Sequence, residues 1–98
     1  MKQYRVEIKP TAEADLERRY LQIAEESPQN AMRWYLDIIS AIEKLHKLAE
    51  RCPVAPEDLN IQRGIRHLVI GNYRVLYWIV EEVIEVLHVR HSRHDRKL

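Results

Sequence analysis

The sequence predicts an α+β domain of order β-α-α-β-β-β, with a helical hairpin packed on one face of an antiparallel sheet. Three observations predict it. Apolar residues recur with helical period over residues 12–49, the period changes to two after residue 64, and a Ser-Pro pair breaks the helical region once.

The elements follow in order. Tyr4-Arg5-Val6-Glu7-Ile8-Lys9 alternates apolar and charged residues, as a strand with one buried face does, and Pro10 ends it. Thr11 is placed to cap a helix with Glu13 and Asp15 in its favourable first turn. Leu16, Tyr20 and Ile23, flanked by Ala12 and Ala24, make its apolar stripe, which runs to about Glu26. Ser27-Pro28 restarts the chain with a capping serine and a proline at the first helical position. Ala31, Tyr35, Ile38, Ile42, Leu45 and Ala49 then repeat at spacings of four and three, widened by Trp34, Ile39 and Leu48. Two helices joined by so short a break form an antiparallel hairpin.

Residues 52–60 contain Pro53, Pro56, Glu57, Asp58 and Asn60 and read as a loop. Beyond it, residues 65–70 form a strand, Gly71-Asn72 a tight turn, and residues 73–80 a strand that is apolar on both faces apart from Arg74. Glu81-Glu82 turns the chain into a last strand, Val83 to Arg90. These three strands form a meander, and the N-terminal strand joins their sheet to cover its apolar face.

At 98 residues the expectation is one domain spanning residues 1–98. A hydrophobic fraction of 46% and a charged fraction of 32% fit a soluble globular domain and argue against disorder. No apolar run reaches the ~20 residues that span a bilayer, and the strand-like start does not read as a secretory segment. With Cys52 as the sole cysteine there is no internal disulfide, so a cytoplasmic setting and a buried, inert thiol are expected. The net charge of +1 hides an asymmetry. Residues 61–98 hold seven Lys/Arg against four Asp/Glu, and four of the five histidines.

The polar exceptions in the meander are therefore the candidate site: Arg66, His67, Arg74, His88, Arg90, His91, Arg93 and His94. Cross-strand geometry places Arg74 near Arg90 and the segment after it, at one rim of the sheet. Such a cluster suits phosphate or carboxylate groups, although charges at a sheet edge also simply block aggregation. Arg74 fits that second reading poorly, because an arginine inside an apolar strand needs a partner. His88, His91 and His94 are spaced by three, but they start in a strand and no cysteine pair or carboxylate completes a set, so no metal is expected. No cofactor is implied either: there is no glycine-rich phosphate loop and no triad-like context for a nucleophile.

Gly71-Asn72-Tyr73-Arg74-Val75-Leu76-Tyr77, followed by Val86-Leu87-His88-Val89-Arg90-His91-Ser92-Arg93, resembles the signature G-x-Y-R-V-x-Y … V-L-x-V-x-H-x-R of the RelE/ParE toxin superfamily. The likeness extends to the first strand, to Ala31–Trp34–Tyr35 and to Ile65-Arg66-His67-Leu68. It implies a toxin of a type II toxin–antitoxin system, of the kind linked to plasmid stabilisation, neutralised by a cognate ParD- or RelB-like antitoxin. In RelE-like members, ribonucleases that cut mRNA on the ribosome, arginines matching Arg74 and Arg93 contribute to the chemistry, with strand-two lysines and a late tyrosine. This chain has no Lys between Lys47 and Lys97 and no Tyr after Tyr77, and His67 falls near a strand-two lysine position. A YoeB-like variant would use Glu57, Arg74 and His91. ParE-like members resemble poisons of DNA gyrase with no established hydrolytic site. The Val-Arg-His-x-Arg ending and modest charge fit that branch better, since a ribosome-seated nuclease is usually strongly basic. The preferred expectation is thus a ParE-like growth inhibitor that is not an enzyme. The alternatives are an endoribonuclease and a non-toxic binding module of the same fold. The apolar stripe of the hairpin and the free sheet edge are the expected antitoxin surface, with Tyr20, Trp34 and Trp78 as anchors or plain core.

Overall fold

A computed structural model describes residues 4–91. The alternating N-terminal run forms β1 (Arg5–Ile8), and Pro10 opens α1 (Pro10–Glu26) as its first residue. Lys9 occupies the N-cap without a side-chain bond, so the expected cap is corrected. Thr11 instead donates its hydroxyl to the Leu87 carbonyl at 2.5 Å, tying α1 to the last strand. Proline's fixed φ starts the helix where no amide donor is needed.

The second helical segment, α2 (Pro28–Glu43), begins as expected: the Ser27 hydroxyl accepts from the Asn30 amide at 3.2 Å. The stripe continues beyond it, but the helix breaks at Lys44 before a single turn, α3 (Leu45–Leu48). The Pro-rich segment that follows carries its own short helix, α4 (Asp58–Ile61), capped by Gln62 in the left-handed conformation at φ 55°. Asp58 pins this segment, its Oδ1 accepting from the Arg63 amide at 2.8 Å and the Ile65 amide at 3.0 Å. The Ile65 amide, first among these donors, holds the Asp58 carboxyl below its usual range.

The meander is β2 (Arg66–Ile70), β3 (Tyr73–Val80) and β4 (Val83–His91), and the sheet order is β1-β4-β3-β2. β1 runs parallel to β4, from Arg5 opposite Val83 to Ile8 opposite Val86, so the sheet is mixed rather than wholly antiparallel. The reason is topological: the hairpin carries the chain from β1 across the sheet into β2 in β1's own direction, and the two reversals of the meander bring β4 back to that direction.

Both faces of the sheet are covered. On one, Val75, Tyr77, Ile84, Val86 and Val89 pack against Ala12, Leu16, Ile38, Ile42 and Leu45 of the helices. The Tyr77 hydroxyl reaches the Ala49 carbonyl at 2.6 Å, and burial pushes its ionisation far up. On the other face, Leu76 packs with Ala55 and Ile65 under Trp78 and Leu87. A bulge makes this arrangement possible. Leu76 lies opposite His88 and Tyr77 opposite Val86, leaving Leu87 as the additional residue that shifts the facing of everything after it. Cys52 is buried beside the main core.

Candidate functional site

Arg74 is the first element of the site. Pleating turns Tyr73 and Val75 toward the helices and Arg74 toward the opposite face, where the loop after α3 lies. That loop delivers Glu57. Arg74 is 6% exposed and Glu57 8%, and they form a bidentate pair, Nη1 to Oε1 at 3.0 Å and Nη2 to Oε2 at 2.5 Å. The arginine's hydrogen bonds hold the Glu57 carboxyl below its usual range.

His67 completes the cluster, opposite Leu76 on β2 and thus on Arg74's face. Arg74 Nη1 lies 3.2 Å from His67 Nδ1. Because a guanidinium only donates, Nδ1 accepts, and the ring is neutral with its proton on Nε2. Desolvation, then the Arg74 charge, lowers the His67 pKa in keeping with that tautomer. Arg90 stands directly across from Arg74 on β4.

The helix side of the same rim holds a second constellation. Tyr73 lies across from His91, their rings edge to face at 5.4 Å, and Trp34 packs on Tyr73 at 5.4 Å. Arg19 donates through Nε to the Tyr73 hydroxyl at 2.6 Å and lies 5.6 Å from the ring centroid. Asp15 closes the exposed edge of β4, accepting the Val89 amide at 3.0 Å, with His88 Nδ1 at 3.1 Å and Arg18 at 3.3 Å. These side chains surround a polar cavity of about 530 Å³.

The helical hairpin carries an apolar groove of about 580 Å³ between α1 and α2, including Leu16, Tyr20, Met32, Tyr35, Leu36 and Ile39. Tyr20 and Tyr35 meet edge to face at 6.0 Å within it. Leu36 is 56% exposed and Met32 49%, an unusual spread of apolar side chains along one helix face.

Residues 6–96 match the family described as the ParE toxin of type II toxin–antitoxin systems, parDE. The chain belongs to that family. A chain of the chromosomal ParDE TA system from P. aeruginosa shares its fold with a TM-score of 0.78 at 18% identity, over 93% of this chain and 98% of that one. A chain of the RelBE2 toxin–antitoxin complex from Mycobacterium tuberculosis does so with a TM-score of 0.66 at 22% identity, over 91% and 98%. No curated protein matches the sequence.

In this ParE-family chain the sequence-nominated residues fall into separate places. Arg74 and His67 join with Glu57, and Arg90 lies opposite Arg74. His91 lies on the other face with Tyr73, away from Glu57 and Arg74, so a Glu57–Arg74–His91 set does not assemble. Arg66 pairs across from Tyr77 and donates to the Cys52 carbonyl at 2.5 Å, a structural contact on the helix side. Arg93 and His94 lie outside the described residues. The three aromatic anchors do not share a surface either. Tyr20 lines the apolar groove, Trp34 the polar cavity, and Trp78 sits on the opposite face donating to Glu85 at 2.8 Å. Among the described residues no three metal-ligating side chains cluster, and no helix is long and apolar enough to cross a membrane.

Asp15, Arg18, Arg19 and Tyr73 were missed by sequence reasoning. Asp15 and Arg18 differ by three, a helix-face pair visible in principle, but nothing local signals that this face meets β4.

Proposed function

We propose that this protein is the toxin of a type II toxin–antitoxin pair and inhibits growth by binding and poisoning DNA gyrase, without hydrolytic chemistry of its own. The observation that carries this reading over a nuclease is the bidentate Arg74–Glu57 pair. RNA cleavage needs a cation free to hold the scissile phosphate and an acid for the leaving oxygen. Here the arginine is occupied by a buried carboxylate, and that carboxylate is held ionised rather than poised to donate a proton. The modest net charge of +1 points the same way, because a nuclease on the ribosome competes for a dense polyanion.

A cognate antitoxin of ParD or RelB kind neutralises the protein in the cytoplasm. The apolar groove between α1 and α2, with Met32 and Leu36 exposed along it, suits one face of an amphipathic helix, and the solved structures of similar fold are described as a toxin–antitoxin system and complex.

A ribosome-dependent endoribonuclease is the second reading, favoured by one observation. His67 is kept neutral beside Arg74, the state a general base requires. The two separate cleanly. Purified protein is incubated with gyrase and plasmid DNA, and in parallel with translating ribosomes. Trapped, cleaved DNA with intact mRNA supports the gyrase reading. Cleaved mRNA that depends on His67 overturns it, and neither effect, with no growth defect on expression, leaves a binding module of the same fold.

A further inference from the structure

The polar cavity beside β4 is bordered, among the described residues, by more donors than acceptors. Among the described residues three arginines, Arg18, Arg19 and Arg90, border it with one carboxylate, Asp15. Both Asp15 oxygens are already engaged: Oδ1 accepts from Arg18, while Oδ2 accepts the Val89 amide and faces His88 Nδ1. Since the carboxylate only accepts, the His88 Nδ1 proton points to it, and that nitrogen offers no lone pair to Arg90 Nη2 at 3.4 Å. Gln22 Oε1 and the Tyr73 hydroxyl are both taken by Arg19. Two further donors, Trp34 Nε1 and Arg90 Nε, are sealed from solvent with no hydrogen-bond partner among the described residues. Such unpaired donors are uncommon in a folded chain.

We propose that this cavity is a binding site for a small phosphorylated ligand of mononucleotide size. A phosphate group offers several acceptor oxygens and up to two charges, which answers an excess of guanidinium donors better than one carboxylate does. The cavity's volume of about 530 Å³ exceeds a lone phosphate, and its apolar walls are the Trp34 and Tyr73 rings, so the ligand carries a further ring or sugar. The bound phosphate accepts from the Arg18 and Arg90 guanidinium groups that border the cavity. This site does not depend on whether gyrase or the ribosome is the target, because Asp15, Arg18, Arg19, Trp34 and Tyr73 take no part in the Glu57–Arg74–His67 cluster, which only Arg90 adjoins.

The test is an NMR titration of the full chain, following the indole N–H resonance of Trp34, with inorganic phosphate, a nucleoside 5′-monophosphate and citrate as separate probes. Saturable downfield movement with the nucleotide at millimolar concentration or below is expected, with weaker movement for phosphate alone and none for citrate. Arg90→Gln and Arg18→Gln each weaken nucleotide binding about tenfold by calorimetry. Saturation by phosphate as tight as by the nucleotide assigns the source to free phosphate and overturns the larger ligand. No resonance shift, shifts equal for citrate, or affinity unchanged in folded Arg90→Gln protein overturns the site altogether.

Discussion

At the scale of single residues, the Arg74–Glu57 pair couples stability to the same atoms that bear on function. Removing one partner strands a buried charge, so Arg74→Ala or Glu57→Gln is expected to lower unfolding free energy by about 3–5 kcal/mol in urea titrations. The double change Arg74→Met with Glu57→Leu recovers most of that loss, since it strands nothing. A test of toxicity with Arg74→Ala alone therefore needs a stability control beside it. Acid acts on the same cluster with a definite sign. The His67 pKa is depressed below its ordinary 6.5, so the native state resists protonation that the unfolded chain accepts. Its contribution is complete above about pH 6.5 and is lost as pH falls through the lowered value. Glu57, depressed from 4.5, adds stability above that pH and loses it in a lower window. The melting temperature should thus decline in two stages on acidification. His67→Gln removes the upper stage; a decline identical in that variant would show that His67 is not the titrating group.

Single elements show where local signals sufficed and where they did not. Ser27-Pro28 was legible because capping chemistry is local, and Ser27→Ala is expected to cost about 1 kcal/mol by thermal or urea denaturation. The strand-to-strand turn at residue 81 was equally legible in position but not in conformation. Glu81 adopts φ 57°, a left-handed setting that a side chain disfavours, as Gly71 does at φ 55° without penalty. Glu81→Gly should stabilise the protein by about 0.5–1 kcal/mol, read as a raised urea midpoint with unchanged slope. Thr11 misled for a physical reason. Threonine is a good cap, but its hydroxyl finds the Leu87 carbonyl across the sheet, and proline at the first helical position does the capping work through its fixed φ. The direction of β1 is the same kind of case. Alternation shows that a strand has a buried face and carries no information about which neighbour it pairs with. The bulge at Leu87 is also silent in the sequence, yet it decides that Val89 and His91 turn toward the helices while His88 and Arg90 do not.

At the scale of the molecule, three surfaces are distributed around one sheet. The outer face is closed by the loop that carries Glu57, the β4 edge by Asp15 and the arginine-lined cavity, and the helix layer presents an apolar groove to solvent. The sequence nominated the hairpin stripe as a partner surface but could not separate its buried from its exposed members. Helical period marks an apolar side without saying how wide the sheet beneath it is. Ile38 and Ile42 are fully covered by the sheet, whereas Met32, Tyr35 and Leu36 lie beyond its reach. That division gives a test of the antitoxin surface that folding does not confound. Leu36→Glu places a charge at a site already 56% exposed, so the isolated protein should keep its stability within about 0.5 kcal/mol. In a complex with an amphipathic partner helix the same charge must be desolvated without a counterion, which weakens association by about 2 kcal/mol or more, some thirtyfold in Kd. The measurement is Kd for the cognate antitoxin by calorimetry, alongside growth rescue on co-expression. Leu36→Glu protein that folds normally and still binds its antitoxin with undiminished affinity would place the interface elsewhere, with the free edge of β1 the next surface to probe by strand addition.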